Sequence, residues 1–314
     1  MIDIKLLEQL CLCNGISGDE GNVRNLIINE IKDCADDIKT DNLGNLIVFK
    51  KGKKSAKSKL MVSAHMDEVG LMVTDITSDG YLKFDEVGGI DRRVLPGKRV
   101  CVGRNGLNGV IGVKPIHLTN GDEKTAVPKM NDMYIDIGAE SREDALKYVN
   151  YGDGINFEGD FKINGKTVVT KALDDRFGCY VLINLIKSEP EYDMYFTFVV
   201  QEEVGLRGAR SAAFTVNPDF ALVIESTTAA DVAEVDVSHQ VCNLSKGATV
   251  TVMDRATVYD KEMISAAFEL AEKNNIAVQY KRAVAGGNDS GAIHQSRGGV
   301  RTLAVSLPSR YIHA

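Results

Sequence analysis

The spacing of apolar positions changes twice along this chain. Residues 3–13 carry apolar side chains at helical intervals, and a second helix is predicted after Ser17-Gly18-Asp19-Glu20, ending near Lys32. Ser17 and Glu20 stand three apart, as in a capping box, so Ser17 is expected to cap and Glu20 to reach back. Residues 37–40, 45–50 and 59–64 read as strands, separated by an Asn-Leu-Gly-Asn turn and a Lys/Ser-rich loop at 50–58. From 71 to 163 the rhythm shortens to β runs at 71–76, 81–84, 99–103, 109–113 and 133–137, broken by Ser-Asp-Gly, Gly-Gly and Asn-Gly turns. One helix, 141–148, is expected there, capped by Ser141.

From about 164 the pattern alternates again. Helices are predicted at 177–186, 206–214 and 260–273, and strands at 167–170, 194–200, 220–224, 248–253, 277–281 and 302–306. Such alternation predicts an α/β fold, a mixed sheet with covering helices. The first strands are expected to join that sheet. Residues 1–70 and 164–314 then form one domain, and 71–163 is an inserted β-rich domain.

Composition narrows the classes. The 314 residues are 44% hydrophobic, enough for a sizeable core. With 37 Lys+Arg against 44 Asp+Glu the net charge is −7 and no basic tract stands out, which disfavours nucleic acid and anionic membranes. No apolar run has the length of a membrane span, and residues 1–5 lack the plan of a signal peptide. The six cysteines are scattered, without the spacing of a zinc knuckle or a disulfide framework. A cytoplasmic protein is the expectation.

Several strand ends carry chemistry. The apolar run 59–62 leads into Ser-Ala-His65-Met-Asp67, and in extended chain His65 and Asp67 share one face. That suits a metal-binding imidazole with a carboxylate to steer it. Asp174 and Asp175 precede a helix, where two acids can equally serve as caps. Glu202 and Glu203 follow the strand 194–200, Glu225 follows 220–224, and His313 lies beyond the last strand. In an open α/β sheet these are the places where sites form. Asp67, Asp174, Glu202, Glu203 and Glu225 converging on one cleft would repel unless cations neutralised them. Two divalent ions with imidazole and carboxylate ligands suit that inventory, zinc, cobalt and manganese among them. Ions roughly 3.5–4 Å apart can activate water and polarise a carbonyl. His117, His239 and His294 are given ordinary structural roles. Arg282 and Arg310 are noted as groups that could favour acidic substrates.

The stretches SAHMDEVG, KALDDR, QEEVGLRGA, ALVIESTTAAD, GGNDSGAI and VSLPSRYIHA, in this order and with GVIGVKPIH in the insertion, span nearly the whole chain. Together they resemble the tetrahedral (TET) aminopeptidase family, which includes glutamyl and deblocking aminopeptidases and proteins labelled endoglucanases. The resemblance implies a di-metal aminopeptidase, with zinc or cobalt, that hydrolyses the N-terminal peptide bond of oligopeptides by metal-activated hydroxide. It makes His65 and Glu225 ligands of one ion, Asp174 the bridge, and Glu203 and His313 the ligands of the second. Glu202 becomes the general base and Asp67 the residue orienting His65. The 174–175 bond matches the family's non-proline cis peptide. The insertion is implied to be a PDZ-like dimerisation domain, and dimers to assemble into a tetrahedral dodecamer. Many members carry aspartate where this chain has Glu225, and members continue beyond the His313 motif by about one helix. The alternatives are a non-catalytic or fragmentary assembly subunit and another amide hydrolase on the same metal centre.

Overall fold

The computed structural model describes residues 3–314 in two compact units. The first runs up to Asp67 and resumes over Ala172–Ile312; the second comprises Glu68–Lys171 with the last two residues.

The first unit begins with α1 (Ile4–Leu12) and α2 (Gly21–Ile31), followed by strands β1 (Asp37–Thr40), β2 (Leu46–Lys50) and β3 (Leu60–His65). Asp3 caps α1, its side chain accepting from the Leu6 amide. The capping box expected before α2 is not formed. The N-cap is Glu20 itself, with no side-chain capping bond. Ser17 is buried and donates instead to Asp67, because a hydroxyl beside a buried carboxylate finds a stronger acceptor there.

In the second unit, β4 (Gly70–Ile76), β5 (Leu82–Val87), β6 (Arg99–Val102), β7 (Leu107–Val113), β8 (Met133–Asp136), α3 (Arg142–Ala145), β9 (Gly154–Phe157), β10 (Lys162–Asn164) and β11 (Thr167–Val169) follow in order. Six strands close an antiparallel barrel in the order β4-β5-β8-β7-β6-β9. Closure leaves the barrel no free edge. Alternate side chains such as Leu71, Val73, Val100, Val102, Ile111 and Ile135 fill it. The closing strand β9 carries only four residues, too short a run for the apolar pattern alone to find. Residues 167–170 were expected to lead into the large sheet. They form instead a two-stranded ribbon with β10, and half-exposed side chains explain why β11 is no central strand. The division accordingly falls at 171/172 where the pattern had suggested 163/164.

The chain returns to the first unit with α4 (Leu173–Lys187), β12 (Met194–Val199), α5 (Arg207–Val216), β13 (Phe220–Thr228), β14 (Ala248–Val250), α6 (Lys261–Lys273), β15 (Val278–Tyr280), α7 (Ser290–Ile293) and β16 (Arg301–Ser309). The sheet has eight strands in the order β1-β2-β12-β3-β13-β16-β14-β15. Its centre, β12-β3-β13-β16, is parallel. These strands are nearly continuous apolar runs because helices cover them, and Phe196, Phe198, Met61 and Val223 are fully buried. β13 is longer than its apolar core, pairing with β16 as far as Thr228 and Ser309. Glu225 therefore lies inside the strand rather than at its end. Among the described residues no helix is long and apolar enough to cross a membrane.

Candidate active site

The carboxyl ends of the parallel strands gather the acids and His65. His65 closes β3 and pairs in register with Val199 at the end of β12. On the other side Ser63 is level with Val223, so two residues on in each strand Glu225 is level with His65. Strand pairing alone thus sets His65 beside the start of the Glu202–Glu203 turn and beside Glu225.

His65 is buried and held on every side. Its amide donates to Asp175 Oδ2 at 3.3 Å, and the Cys179 thiol donates to its carbonyl at 3.1 Å, so α4 fixes its backbone. The ring Nδ1 is 3.0 Å from the Asp67 carbonyl oxygen, which makes Nδ1 the protonated nitrogen of the neutral ring. Nε2 then presents a lone pair. It lies 3.3 Å from both Asp174 Oδ1 and Glu225 Oε1. Three such atoms together call for positive charge, either a proton on Nε2 or a cation among them.

Asp174 and Asp175 form an elbow before the regular part of α4. Ala172 has a left-handed φ of 54°, Asp174 and Asp175 have non-helical torsions, and the bond between them is cis. The elbow turns Asp175 inward to the His65 amide and to the Gly178 amide at 3.1 Å. Gly178 leaves the room for this, since a Cβ there would lie 2.2 Å from Asp175 Oδ2. The Ser226 hydroxyl donates to the Leu173 carbonyl, tying the elbow to β13.

Glu202 and Glu203 sit in the turn after β12. Their amides donate to Asp67 Oδ1 at 3.0 Å and Oδ2 at 3.2 Å, and Ser17 Oγ donates to the same Oδ2 at 2.6 Å. Asp67 therefore steers His65 chiefly through its backbone carbonyl; its carboxylate, 3.6 Å from Nδ1, organises the glutamate turn.

The electrostatics point one way. Burial pushes the Glu225 carboxyl up to about 8, against the pull of His65, with Asp174 adding to the rise. Burial also holds Glu202 well above the usual carboxylate range, assisted by Glu225, Asp289 and Glu203. Asp175 is raised likewise, by burial and then by Glu225. For His65 burial lowers proton affinity, but the charge of Glu225 and the bonds to Asp174 and Asp67 more than reverse this. So many acids displaced upward around one imidazole mark a region short of positive charge. Glu225 Oε2 and both oxygens of Asp289 are buried with no hydrogen-bond partner among the described residues.

Among the described residues, two sets of side chains within the first unit each offer ligand atoms within 4.8 Å of one another: His65, Asp174 and Glu225; and His65, Glu202 and Glu203. His313 belongs to the second unit. Imidazole nitrogen with carboxylate oxygen is the donor set that zinc-like divalent ions accept, and the orphaned Glu225 oxygen adds a free donor. The residues fit such an ion.

Other candidates fall elsewhere. His117 is exposed in the second unit, His239 ends a short 3-10 turn, and His294 Nδ1 lies 2.8 Å from the Ser290 carbonyl. Arg310 is paired with Asp231 at 2.7 Å, whereas Arg282 bonds the neutral Asn243 amide oxygen and keeps its charge. Sequence reasoning missed Asp289, which burial raises to about 7, because its motif read as a glycine turn. It also missed Arg176. This guanidinium is fully buried and donates to the carbonyls of Leu10, Cys13, Gly15 and Met66, pinning the N-terminal segment to the end of β3. An arginine directly after two acids carries no local signal of such a role.

The family description M42 glutamyl aminopeptidase matches residues 44–314. The chain is 33% identical to the lysyl aminopeptidase of Pyrococcus furiosus, covering 100% of this chain and 91% of that protein. Among solved structures it is similar to the TET aminopeptidase of the marine sediment archaeon Thaumarchaeota archaeon SCGC AB-539-E09, with a TM-score of 0.94, 34% identity, and coverage of 99% and 89% of the two chains. It is similar also to the Pyrococcus horikoshii TET1 peptidase, with a TM-score of 0.87, 40% identity and coverage of 99% and 92%. That protein can assemble into a tetrahedron or a large octahedral shell.

Proposed function

The chain belongs to the M42 glutamyl aminopeptidase family and is a peptide hydrolase, and on that premise we propose that it removes residues from the N-terminus of oligopeptides. The observation that carries this is the His65 ring, with Nδ1 given to the Asp67 carbonyl and Nε2 3.3 Å from two carboxylate oxygens. His65, Asp174 and Glu225 would hold one divalent ion; the family resemblance assigns Asp174, Glu203 and His313 to the second, and zinc and cobalt both accept these donors. Bound there, such ions supply Lewis acidity toward a carbonyl and lower the pKa of solvent.

Glu202 is the general base. Burial and neighbouring acids keep its proton affinity high, so it can take a proton from solvent and return it to the leaving amine. Asp67 holds the Glu202 amide and so aims that carboxylate. Asp67, Asp174, Glu202, Glu203, Glu225 and Asp289 outnumber two divalent charges, and the surplus favours a substrate whose reacting end carries a protonated amine. That selects exo over endo cleavage.

Hydrolysis of aminoacyl-p-nitroanilides (Leu, Glu, Asp, Lys, Ala) with added zinc or cobalt tests this reading. Free-amine substrates should turn over, N-acetylated ones should not, and Glu202→Gln should lower kcat by roughly 10²–10⁴-fold. Turnover unaffected by Glu202→Gln would remove the general-base assignment.

We assign the chain a homo-oligomeric state as well, with the inserted barrel as its dimerisation unit and tetrahedral assembly of dimers into a dodecamer. Ile116, Leu118 and Val127 in the insertion are 66%, 55% and 46% exposed, apolar surface suited to a partner copy. Light scattering on the eluting protein should give a mass many times 34.2 kDa, and a monomer mass would overturn the assignment.

A further inference from the structure

The segment that links α1 to α2 lies outside residues 44–314, yet its polar side chains reach the glutamate turn, Glu20 directly and Ser17 through Asp67. Ser17 Oγ donates to Asp67 Oδ2 at 2.6 Å, and that carboxylate accepts the amides of Glu202 and Glu203. Glu20 Oε1 accepts the Gln201 amide at 3.2 Å and the Gly18 amide at 2.6 Å. Ser17 and Glu20 are 5% and 4% exposed, so these bonds form away from competing water. Gln201 has a left-handed φ of 56°, a conformation that a residue with a side chain adopts only when its surroundings impose it. Glu20 is one of those surroundings. Arg176 in turn clamps the segment by bonding the Cys13 and Gly15 carbonyls together with that of Met66.

We propose that Ser17 and Glu20 are positioning residues for the reaction: the N-terminal segment is a strut that sets the 201–203 turn, and through it the carboxylates of Glu202 and Glu203. Neither side chain touches the reacting atoms. Ser17 acts through Asp67, and Glu20 acts through the Gln201 amide. A purely local role in capping α2 is excluded for both, since the helix begins at Gly21 without a side-chain cap.

This inference rests on the aminopeptidase reading for its kinetic effect, but its structural core is measurable without turnover. In hydrogen exchange followed by mass spectrometry, Ser17→Ala and Glu20→Ala should speed exchange of the amides at 201–203 about tenfold, the order expected for losing one charge-assisted bond. Exchange in the barrel unit should stay as in the parent. In the zinc-loaded enzyme the same variants should lower kcat about tenfold, with KM and zinc content within twofold of the parent. Ser17→Thr keeps the hydroxyl and Glu20→Gln keeps an acceptor, and both should restore kcat and exchange toward the parent values. Unchanged exchange at 201–203 would overturn the proposal. So would a kcat loss that follows zinc loss, or faster exchange throughout the chain. A parent without peptide turnover would refute the proposed function, and the exchange measurement would still decide the strut.

Discussion

Asp67 ties two distant stretches of chain to its own through one carboxylate: the Ser17 hydroxyl on one side and two consecutive amides of the glutamate turn on the other. Its own carbonyl meanwhile selects the tautomer of His65. Asp67→Asn keeps the volume but gives one of those three donors an NH₂ group to face. It should lower activity or metal affinity by roughly 10–100-fold, as losses of the groups that orient metal ligands do. Steady-state kinetics with a zinc titration would measure this, and a variant within twofold of the parent in both would show the carboxylate to be dispensable. The His-x-Asp pattern made Asp67 legible as a helper of His65. The half of its work directed at Glu202 and Glu203 was not legible, because those bonds run between residues 135 and 136 positions apart. Arg176 and Ser17 were hidden for the same reason. A side chain bonded to distant backbone leaves no spacing in the sequence.

Elements that carry their own apolar period were readable, and stretches that are strand only because a partner pairs with them were not. The boundaries of α1, α6, β1 and β12 follow from apolar period and caps. β9 exists because a barrel must close, and β13 runs on past its apolar core because β16 offers it partners. α6 shows what a cap does. Asp260 accepts the Met263 amide and forms a two-pronged ion pair with Arg301 at the start of β16. The Arg301 bond, then the Met263 amide, hold its carboxyl down to about 2. A depressed carboxylate adds stability that is fully present above the unfolded-state value near 3.9 and is lost as the pH falls through about 2. Asp260→Ala should therefore cost about 1 kcal/mol in urea unfolding at neutral pH. The gap between parent and variant should narrow on acidification through that window. A gap independent of pH would mean that the ionised carboxylate contributes nothing.

At the scale of the whole molecule, the acids of the site are a liability until a cation arrives. Removing divalent ions with a chelator should lower the unfolding midpoint, and zinc or cobalt should raise it, the unfolding free energy gaining about 2.7 kcal/mol at a hundredfold excess over Kd. Glu225→Gln should blunt the response; a midpoint indifferent to chelator would contradict a metal centre. The order of strands has a further consequence, for the route by which the chain acquires its shape. β3 lies between β12 and β13, and both are more than 120 residues downstream. A nascent chain thus emerges with β3 unable to find either neighbour, while Glu68–Lys171 forms a contiguous stretch able to close on itself. The barrel should reach its native form first during synthesis, and the large sheet should assemble late and slowly, as long-range pairings do. Until then β3 offers an unpaired apolar edge of the kind that chaperones cover and aggregates exploit.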